Sequence, residues 1–123
     1  KDRVAHPDKA IRLYQQACDG KYTYACFSLG GLLEKTSNPK VDGPRARSAY
    51  RKACLAKVAA SCHALGLMLL NGRGGEADPE GARTLFSMAC KQGHKPACTP
   101  PAPELAAGAR PTVVPTTRVL NTP

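Results

Sequence analysis

Acidic and aromatic residues are scarce in this chain. Its 123 residues include only 9 Asp and Glu against 18 Lys and Arg, with no Trp, four Tyr and two Phe. The shortage of aromatic rings argues against a protein that stacks the bases of single-stranded nucleic acid. The net charge of +9 favours acidic proteins or anionic envelope and membrane surfaces as partners.

Long apolar runs are also missing. No run of roughly 18 or more apolar residues occurs, so the sequence predicts no transmembrane helix. No signal peptide is visible and the chain starts at Lys1 rather than Met, which we interpret as a mature or trimmed chain. No strand is predicted before Gly72-Arg73-Gly74, so these residues form a turn rather than a phosphate-binding loop. We expect no cofactor.

The six cysteines reveal an internal repeat. They form pairs eight positions apart, each displaced from the last by 36 residues: Cys18/Cys26, Cys54/Cys62 and Cys90/Cys98. Other positions keep the same step, among them Ala10/Ala46/Ala82, Tyr14/Tyr50/Phe86, Ala17/Ala53/Ala89 and Gly30/Gly66. A period of this length with two helical segments per unit is the signature of an α-solenoid.

Each cysteine pair spans a predicted turn between two helices. Such a turn brings the two positions within disulfide reach, and an even cysteine count at regular spacing points to an oxidising compartment. Buried reduced thiols are the alternative. Zinc is disfavoured because its cysteine ligands usually lie two to four residues apart. We therefore expect three structural disulfides, one for each unit, and no metal site.

Helix boundaries follow from proline, glycine and capping residues. The first unit is predicted to contain helices over about 8–19, ended by Gly20, and 23–35, ended by Ser37-Asn38-Pro39. The second unit should begin at Asp42-Gly43-Pro44, with helices over about 44–56 and 59–70. Asp78-Pro79 is a typical start for the fifth helix, which should reach about Lys91.

The pattern fails in the third unit. A second helix begins near His94, but Thr99-Pro100-Pro101 should stop it within about a turn. We therefore divide the chain into a repeat domain over 1–98 and an extended, Pro-rich tail over 99–123. The tail is expected either to pack on its own repeats or to contact a partner through its apolar anchors, Val113, Val114, Val119 and Leu120.

The repeat has the pattern A-x3-Y/F-x2-A-C-x7-C-x2-LG at 10–30 and 46–66, and as far as it goes at 82–98. This pattern resembles the Sel1-like repeat, a relative of the tetratricopeptide repeat, and within it the disulfide-rich type of the Helicobacter cysteine-rich proteins. The resemblance departs from the family in the truncated last unit, in the tail and in the loop 35–43, which lacks the usual Gly-rich turn.

The resemblance implies an all-α, right-handed solenoid that acts as an adaptor or scaffold in assemblies. It also implies export to the periplasm or secretion, with the mitochondrial intermembrane space as the alternative oxidising compartment. Some cysteine-rich members of the family are associated with penicillin binding and β-lactamase activity, which makes a weak enzyme of that kind the alternative function.

The residues themselves give little support to an enzyme. Ser37-Asn38-Pro39-Lys40 matches the S-x-x-K pattern, but Pro39 and a predicted loop remove the shared helical face, and no S-D-N or K-T-G element follows. His6, His63 and His94 occupy unrelated repeat positions without a carboxylate cluster. We predict that the protein is not an enzyme and that Ser37-x-x-Lys40 is a chance match.

The basic residues suggest a binding face instead. Short solenoids present a concave face lined by the first helix of each unit, and these helices carry several arginines. They form either a solvated helical face or a groove for an acidic segment of a partner protein. The candidate partner-binding arginines are Arg12, Arg45, Arg47, Arg51 and Arg83.

Overall fold

The protein is an array of paired helices. A computed structural model describes residues 7–36 and 38–100, and every regular element within them is helical. Each helix packs against its neighbours in chain order. The elements are α1 (Pro7–Asp19), α2 (Thr23–Glu34), α3 (Pro39–Leu55), α4 (Ala59–Asn71), α5 (Pro79–Lys91) and a short 3₁₀ helix (Lys95–Cys98). This confirms the all-α solenoid class, whereas its right-handed twist stays a prediction.

The turns inside the three units share one hydrogen-bond pattern. In the first, the N–H of Tyr22 donates to the carbonyl of Ala17 and the N–H of Lys21 to that of Cys18. This is the Schellman arrangement at a helix C-terminus. The pairs Val58 to Ala53 and Lys57 to Cys54, and then His94 to Ala89 and Gly93 to Cys90, repeat it.

In the first turn, the residue with a left-handed backbone is not the glycine that the sequence suggests. α1 ends at Asp19 as predicted, but Lys21, not Gly20, has the positive φ, at 77°. Lys57 and Gly93 follow at φ 72° and 99°. In a Schellman turn the left-handed residue is the one just before the residue whose N–H bonds to the carbonyl five residues earlier. The hydrogen bonds therefore set its place, whichever side chain it carries.

A disulfide closes each of these turns. Cys18–Cys26, Cys54–Cys62 and Cys90–Cys98 are bonded, with Cα atoms 4.7, 4.6 and 4.8 Å apart. Among the described residues no cysteine is free. The predicted pairing is confirmed. In the first two units the bond joins the end of the first helix to the first turn of the second, and in the third it joins the end of α5 to the last residue of the short 3₁₀ helix.

Consecutive units are joined by an aromatic ring that lies on a glycine. A Cβ placed on Gly30 would lie 2.5 Å from the ring of Tyr50, and one on Gly66 would lie 2.8 Å from Phe86. Around these contacts the core is built largely from alanine, leucine and the cystines. The repeat of small and aromatic residues in the sequence is therefore the repeat of the packing between units.

The start of α3 is a correction. The sequence predicts a helix from Pro44, but α3 begins at Pro39 and carries Pro44 in its interior. The amides of Val41 and Asp42 donate to the carbonyl of Asn38, which begins the helix more than a turn early. Proline is tolerated here because only the single bond that its N–H would make is lost, near the helix end.

The third unit stops as predicted. Its second element is reduced to the 3₁₀ helix Lys95–Cys98 before Thr99 and Pro100. Most of the predicted tail lies outside the described residues, including its anchors Val113, Val114, Val119 and Leu120. The division into 1–98 and 99–123 stays a prediction.

Candidate binding surfaces

The five candidate arginines have different environments. Arg45 pairs with Asp42 and Arg83 with Glu80, both within one helix, at 3.2 and 3.3 Å. Arg12 and Arg51 are exposed and make no ion pair with the described residues. Surface pairs of this kind contribute little to stability, so Arg45 and Arg83 can exchange their partners for an acidic ligand. Arg12 and Arg51 are accessible without any exchange.

Arg47 has a structural role that the sequence did not suggest. Its guanidinium donates to the backbone carbonyls of Arg73 (2.7 Å) and Glu76 (2.9 Å), and more weakly to that of Met68 (3.4 Å). These bonds attach the loop after α4 to α3. Burial, followed by the neighbouring Arg51, lowers the pKa of Arg47, and Asp78 opposes the shift. Arginine remains charged nonetheless, and no carboxylate among the described residues pairs with it.

The loop held by Arg47 forms one wall of a pocket between the two inter-repeat connections. We call it the inter-repeat pocket. Its volume is about 480 Å³. The α2 end, the α3 start and the glycine-rich loop surround it. Its lining residues are Leu33, Glu34, Pro39, Lys40, Gly43, Pro44, Met68, Gly72, Arg73, Gly74 and Gly75.

Two glycines bring the pocket walls together. A Cβ on Gly43 would lie 2.8 Å from the Cα of Gly74, and one on Gly74 would lie 2.5 Å from the carbonyl oxygen of Gly43. Gly74 also has a left-handed φ of 76°. The early start of α3, which the sequence did not predict, places Gly43 on the helix at this contact.

A charge network fixes one side of the pocket. Glu34 forms an ion pair with Arg73 at 3.0 Å. Its carboxylate also accepts a hydrogen bond from the Tyr50 hydroxyl. Burial, and then this hydrogen bond, raise the pKa of Tyr50 well above its ordinary value. The negative charge of Glu34 is therefore balanced by Arg73 within the protein.

A second, smaller depression lies between α1 and α3, the first helices of the first two units. Its volume is about 110 Å³. Gln15, Arg45 and Lys52 contribute polar groups, and Lys52 also pairs with Asp19 at 3.3 Å. Of the candidate arginines, only Arg45 lines this depression.

Sequence reasoning missed a histidine pair. His63 and His94 come from adjacent units, yet His94 Nε2 lies 3.2 Å from His63 Nδ1. Burial, followed by the charge of His94, lowers the pKa of His63. The repeat itself is the signal that could have found the pair. His63 aligns with Phe27 and His94 with Val58. Both of these residues pack on the core in the preceding units.

The described residues contain neither a membrane-spanning nor a metal-binding arrangement. No helix within 7–36 and 38–100 is long and apolar enough to cross a bilayer. The same residues hold no cluster of three or more metal-ligating side chains. Ser37 lies outside the described residues, and Lys40 belongs to α3, which begins at Pro39.

Comparison with known proteins agrees with this geometry. The sequence model of the Sel1 repeat family matches residues 5–22 and 59–94. A solved structure, the Helicobacter pylori cysteine-rich protein B, superposes with a TM-score of 0.67 at 28% identity, covering 76% of this chain and 70% of that one. No curated protein sequence matches the chain.

Proposed function

Because this chain is a Sel1-like repeat protein of the disulfide-rich type, we propose that it is a protein–protein interaction scaffold or an accessory subunit of a larger assembly outside the cytosol. The observation that carries the proposal is the stapled array itself. Five helices and three disulfides hold a small core in place. Stacked helical repeats of this kind present extended surfaces for other proteins.

The chemistry of the surface indicates an acidic partner. Arg12 and Arg51 are exposed without ion-pair partners among the described residues, and Arg45 lines the depression between α1 and α3. With a net charge of +9, long-range attraction speeds encounters with acidic surfaces. The tail, with Val113, Val114, Val119 and Leu120, is the second contact element of the proposal.

The cysteines support the proposed compartment. Three disulfides persist where glutathione and thioredoxin do not reduce them, which favours the periplasm or a secreted location. The mitochondrial intermembrane space is the alternative. In the cytosol the same chain would lose the crosslinks that hold its turns.

The test is capture of a partner by the oxidised protein. Immobilised full-length chain and a version ending at Cys98 are incubated with native envelope extract and read by mass spectrometry. A stoichiometric partner that competes off with free oxidised protein supports the proposal, and its loss from the shorter version assigns the contact to the tail. Retention of nothing by either form contradicts the scaffold. Nitrocefin turnover that disappears in Ser37→Ala would establish the enzyme instead.

A further inference from the structure

We propose that the inter-repeat pocket binds an extended acidic segment of a partner protein and seats one apolar side chain of that segment against Pro39 and Pro44. The inference rests on the proposed scaffold function and gives it a site. Pro39 and Pro44 are exposed lining residues, whereas the lining residues Leu33 and Met68 are 1% exposed each and offer almost no surface. A pocket of about 480 Å³ has the size of a small ligand site and is open to a side chain with its adjoining backbone.

The charge around the pocket selects an acidic ligand. The charge of Glu34 is already balanced by Arg73, and its carboxylate accepts a hydrogen bond from the Tyr50 hydroxyl. Lys40 is exposed at the rim and has no carboxylate partner among the described residues. Arg47 bonds only to carbonyls and lies directly behind Gly75, where a Cβ would be 2.9 Å from its Nη1. Lys40 is therefore the lining cation that meets a ligand without a carboxylate partner among the described residues, while the charge of Arg47 lies behind the loop with Asp78 near it.

Asp42 does not cancel this excess. Its carboxylate accepts from the Thr36 hydroxyl at 2.7 Å and pairs with Arg45 at 3.2 Å. It is thus committed to groups of its own helix and the preceding loop, and it is not among the lining residues. An anionic ligand meets no unpaired carboxylate on the pocket lining.

The backbone of the pocket favours a peptide over a fatty acid. Pro44 has no N–H, so the carbonyl of Lys40 lacks its usual helical donor. The amides of Gly74 and Gly75 donate to no backbone carbonyl within the described residues. A peptide bond offers both the donor and the acceptor that complement these groups, whereas an alkyl chain offers neither.

Two lysines provide a matched pair of variants. Lys40 and Lys9 are both exposed and both lie in the first turn of a helix that starts with proline. Lys40→Glu and Lys9→Glu therefore change the net charge equally and have similar effects on the helix dipole. Only Lys40 lines the pocket.

The experiment titrates the oxidised, ¹⁵N-labelled full-length protein with a capped peptide of one leucine flanked on each side by three glutamates. Companion peptides replace the leucine by serine or the glutamates by glutamine, and laurate is titrated separately. Saturable shifts of Lys40, Gly43, Gly74 and Gly75 are expected. Both companion peptides should bind more weakly. The dissociation constant should rise about threefold to tenfold in Lys40→Glu and change less than twofold in Lys9→Glu.

Three results would overturn the proposal: no saturable shift at millimolar peptide, equal weakening by the two lysine variants, or laurate but not peptide moving the same resonances. Partner capture by the wild-type protein distinguishes failure of the scaffold function from failure of the pocket proposal. If capture succeeds but is as strong with Lys40→Glu as with Lys9→Glu, the scaffold function stands and the pocket is not its site. If capture fails while the peptide binds, the scaffold function falls alone.

Discussion

Gly30 and Gly31 are neighbours in α2, but only one of them touches the next unit. A Cβ on Gly30 would lie 2.5 Å from the Tyr50 ring, whereas the nearest atom to a Cβ on Gly31 is the Tyr50 hydroxyl oxygen at 3.8 Å. Helix propensity alone predicts that alanine stabilises both positions by about 1 kcal/mol. The contact reverses that sign at Gly30.

We therefore expect Gly30→Ala to lower the free energy of unfolding by roughly 1–3 kcal/mol, the usual cost of overpacking a core. Gly31→Ala is the control and should be neutral or stabilising by up to about 1 kcal/mol. Urea unfolding followed by circular dichroism measures both. Equal effects of the same sign at the two positions would refute a close contact between the units at Gly30.

The histidine pair makes stability depend on pH. The pKa of His63 is lowered in the folded state by burial and then by His94, so below the ordinary histidine pKa of about 6.5 the unfolded chain binds more protons. Stability should therefore fall as the pH drops through about 6.5 toward the lowered folded pKa. Urea midpoints at pH 7.5 and 5.5 measure this.

His63→Phe is the variant that isolates this contribution, because Phe27 occupies the aligned position of the first unit. The variant should lose much of the drop in midpoint between the two pH values, while carboxylates contribute equally to both proteins. An unchanged drop in His63→Phe would show that the pair does not couple folding to pH.

Residue identities alone could not reveal these two features or the role of Arg47. The sequence groups Arg47 with four other arginines, and only the path of the 72–76 loop makes it a donor to three carbonyls. His63 and His94 are 31 positions apart. Their contact was predictable only by aligning one unit on the next and asking which positions touch between units.

At the scale of the element, the three Schellman turns do not all hold the same residue at the left-handed position. The left-handed position holds lysine in the first two units and glycine in the third. A side chain in this conformation costs roughly 1 kcal/mol relative to glycine. Lys57→Gly should therefore raise stability by about 0.5–1 kcal/mol, and Gly93→Lys should lower it by a similar amount.

Chemical unfolding of the two variants measures these opposite changes in the free energy of unfolding at aligned positions. A Cβ on Gly93 would meet no atom within 4 Å, so a loss of stability there reports backbone conformation rather than a clash. Lys91→Ala, an exposed change two residues earlier, should leave the midpoint nearly unchanged. A destabilising Lys57→Gly would contradict the left-handed assignment of the turn.

The third disulfide should be the first to be reduced. Cys26 and Cys62 are 1% and 0% exposed, while Cys98 is exposed at the end of the short 3₁₀ helix. Thiol attack on a disulfide requires access to a sulfur. With limiting reductant and rapid alkylation, peptide mapping should find Cys90 and Cys98 labelled several-fold faster than the other four. Uniform labelling would mean that the third unit is covered in solution.

The boundaries of most elements were predictable because local signals and tertiary contacts agree. Asp78 caps α5 through the Gly81 amide, as the Asp-Pro start indicates. α3 is the exception, since Pro44 is a strong local start signal that the helix overrides. The carbonyl of Asn38 begins the helix earlier, and the contact of Gly43 with Gly74 then places α3 against the next loop. Such a long-range contact has no signature in the local sequence.

At the scale of the whole molecule, the repeat predicted the architecture but not its surfaces. Cysteine, alanine and aromatic positions recur every 36 residues because they make the same contacts in each unit. The lining of the inter-repeat pocket does not follow this period, since the glycine-rich stretch 72–75 aligns with Thr-Ser-Asn-Pro at 36–39. It depends on a loop that is glycine-rich only after α4, and on the extra turn of α3. On the proposed function, binding specificity lies in the differences between units, which a repeat pattern does not describe.

The central claim is that the three disulfides hold this array together. Each closes a loop of about nine residues and contributes roughly 2.5 kcal/mol on the chain-entropy estimate, so three together are comparable with the whole stability of a small domain, about 5–15 kcal/mol. The most direct test is urea unfolding of the oxidised chain and of the same chain in excess phosphine reductant, followed by circular dichroism at 222 nm. We predict a cooperative transition for the oxidised protein and loss of most helical signal without urea for the reduced one. Coinciding midpoints would contradict the account.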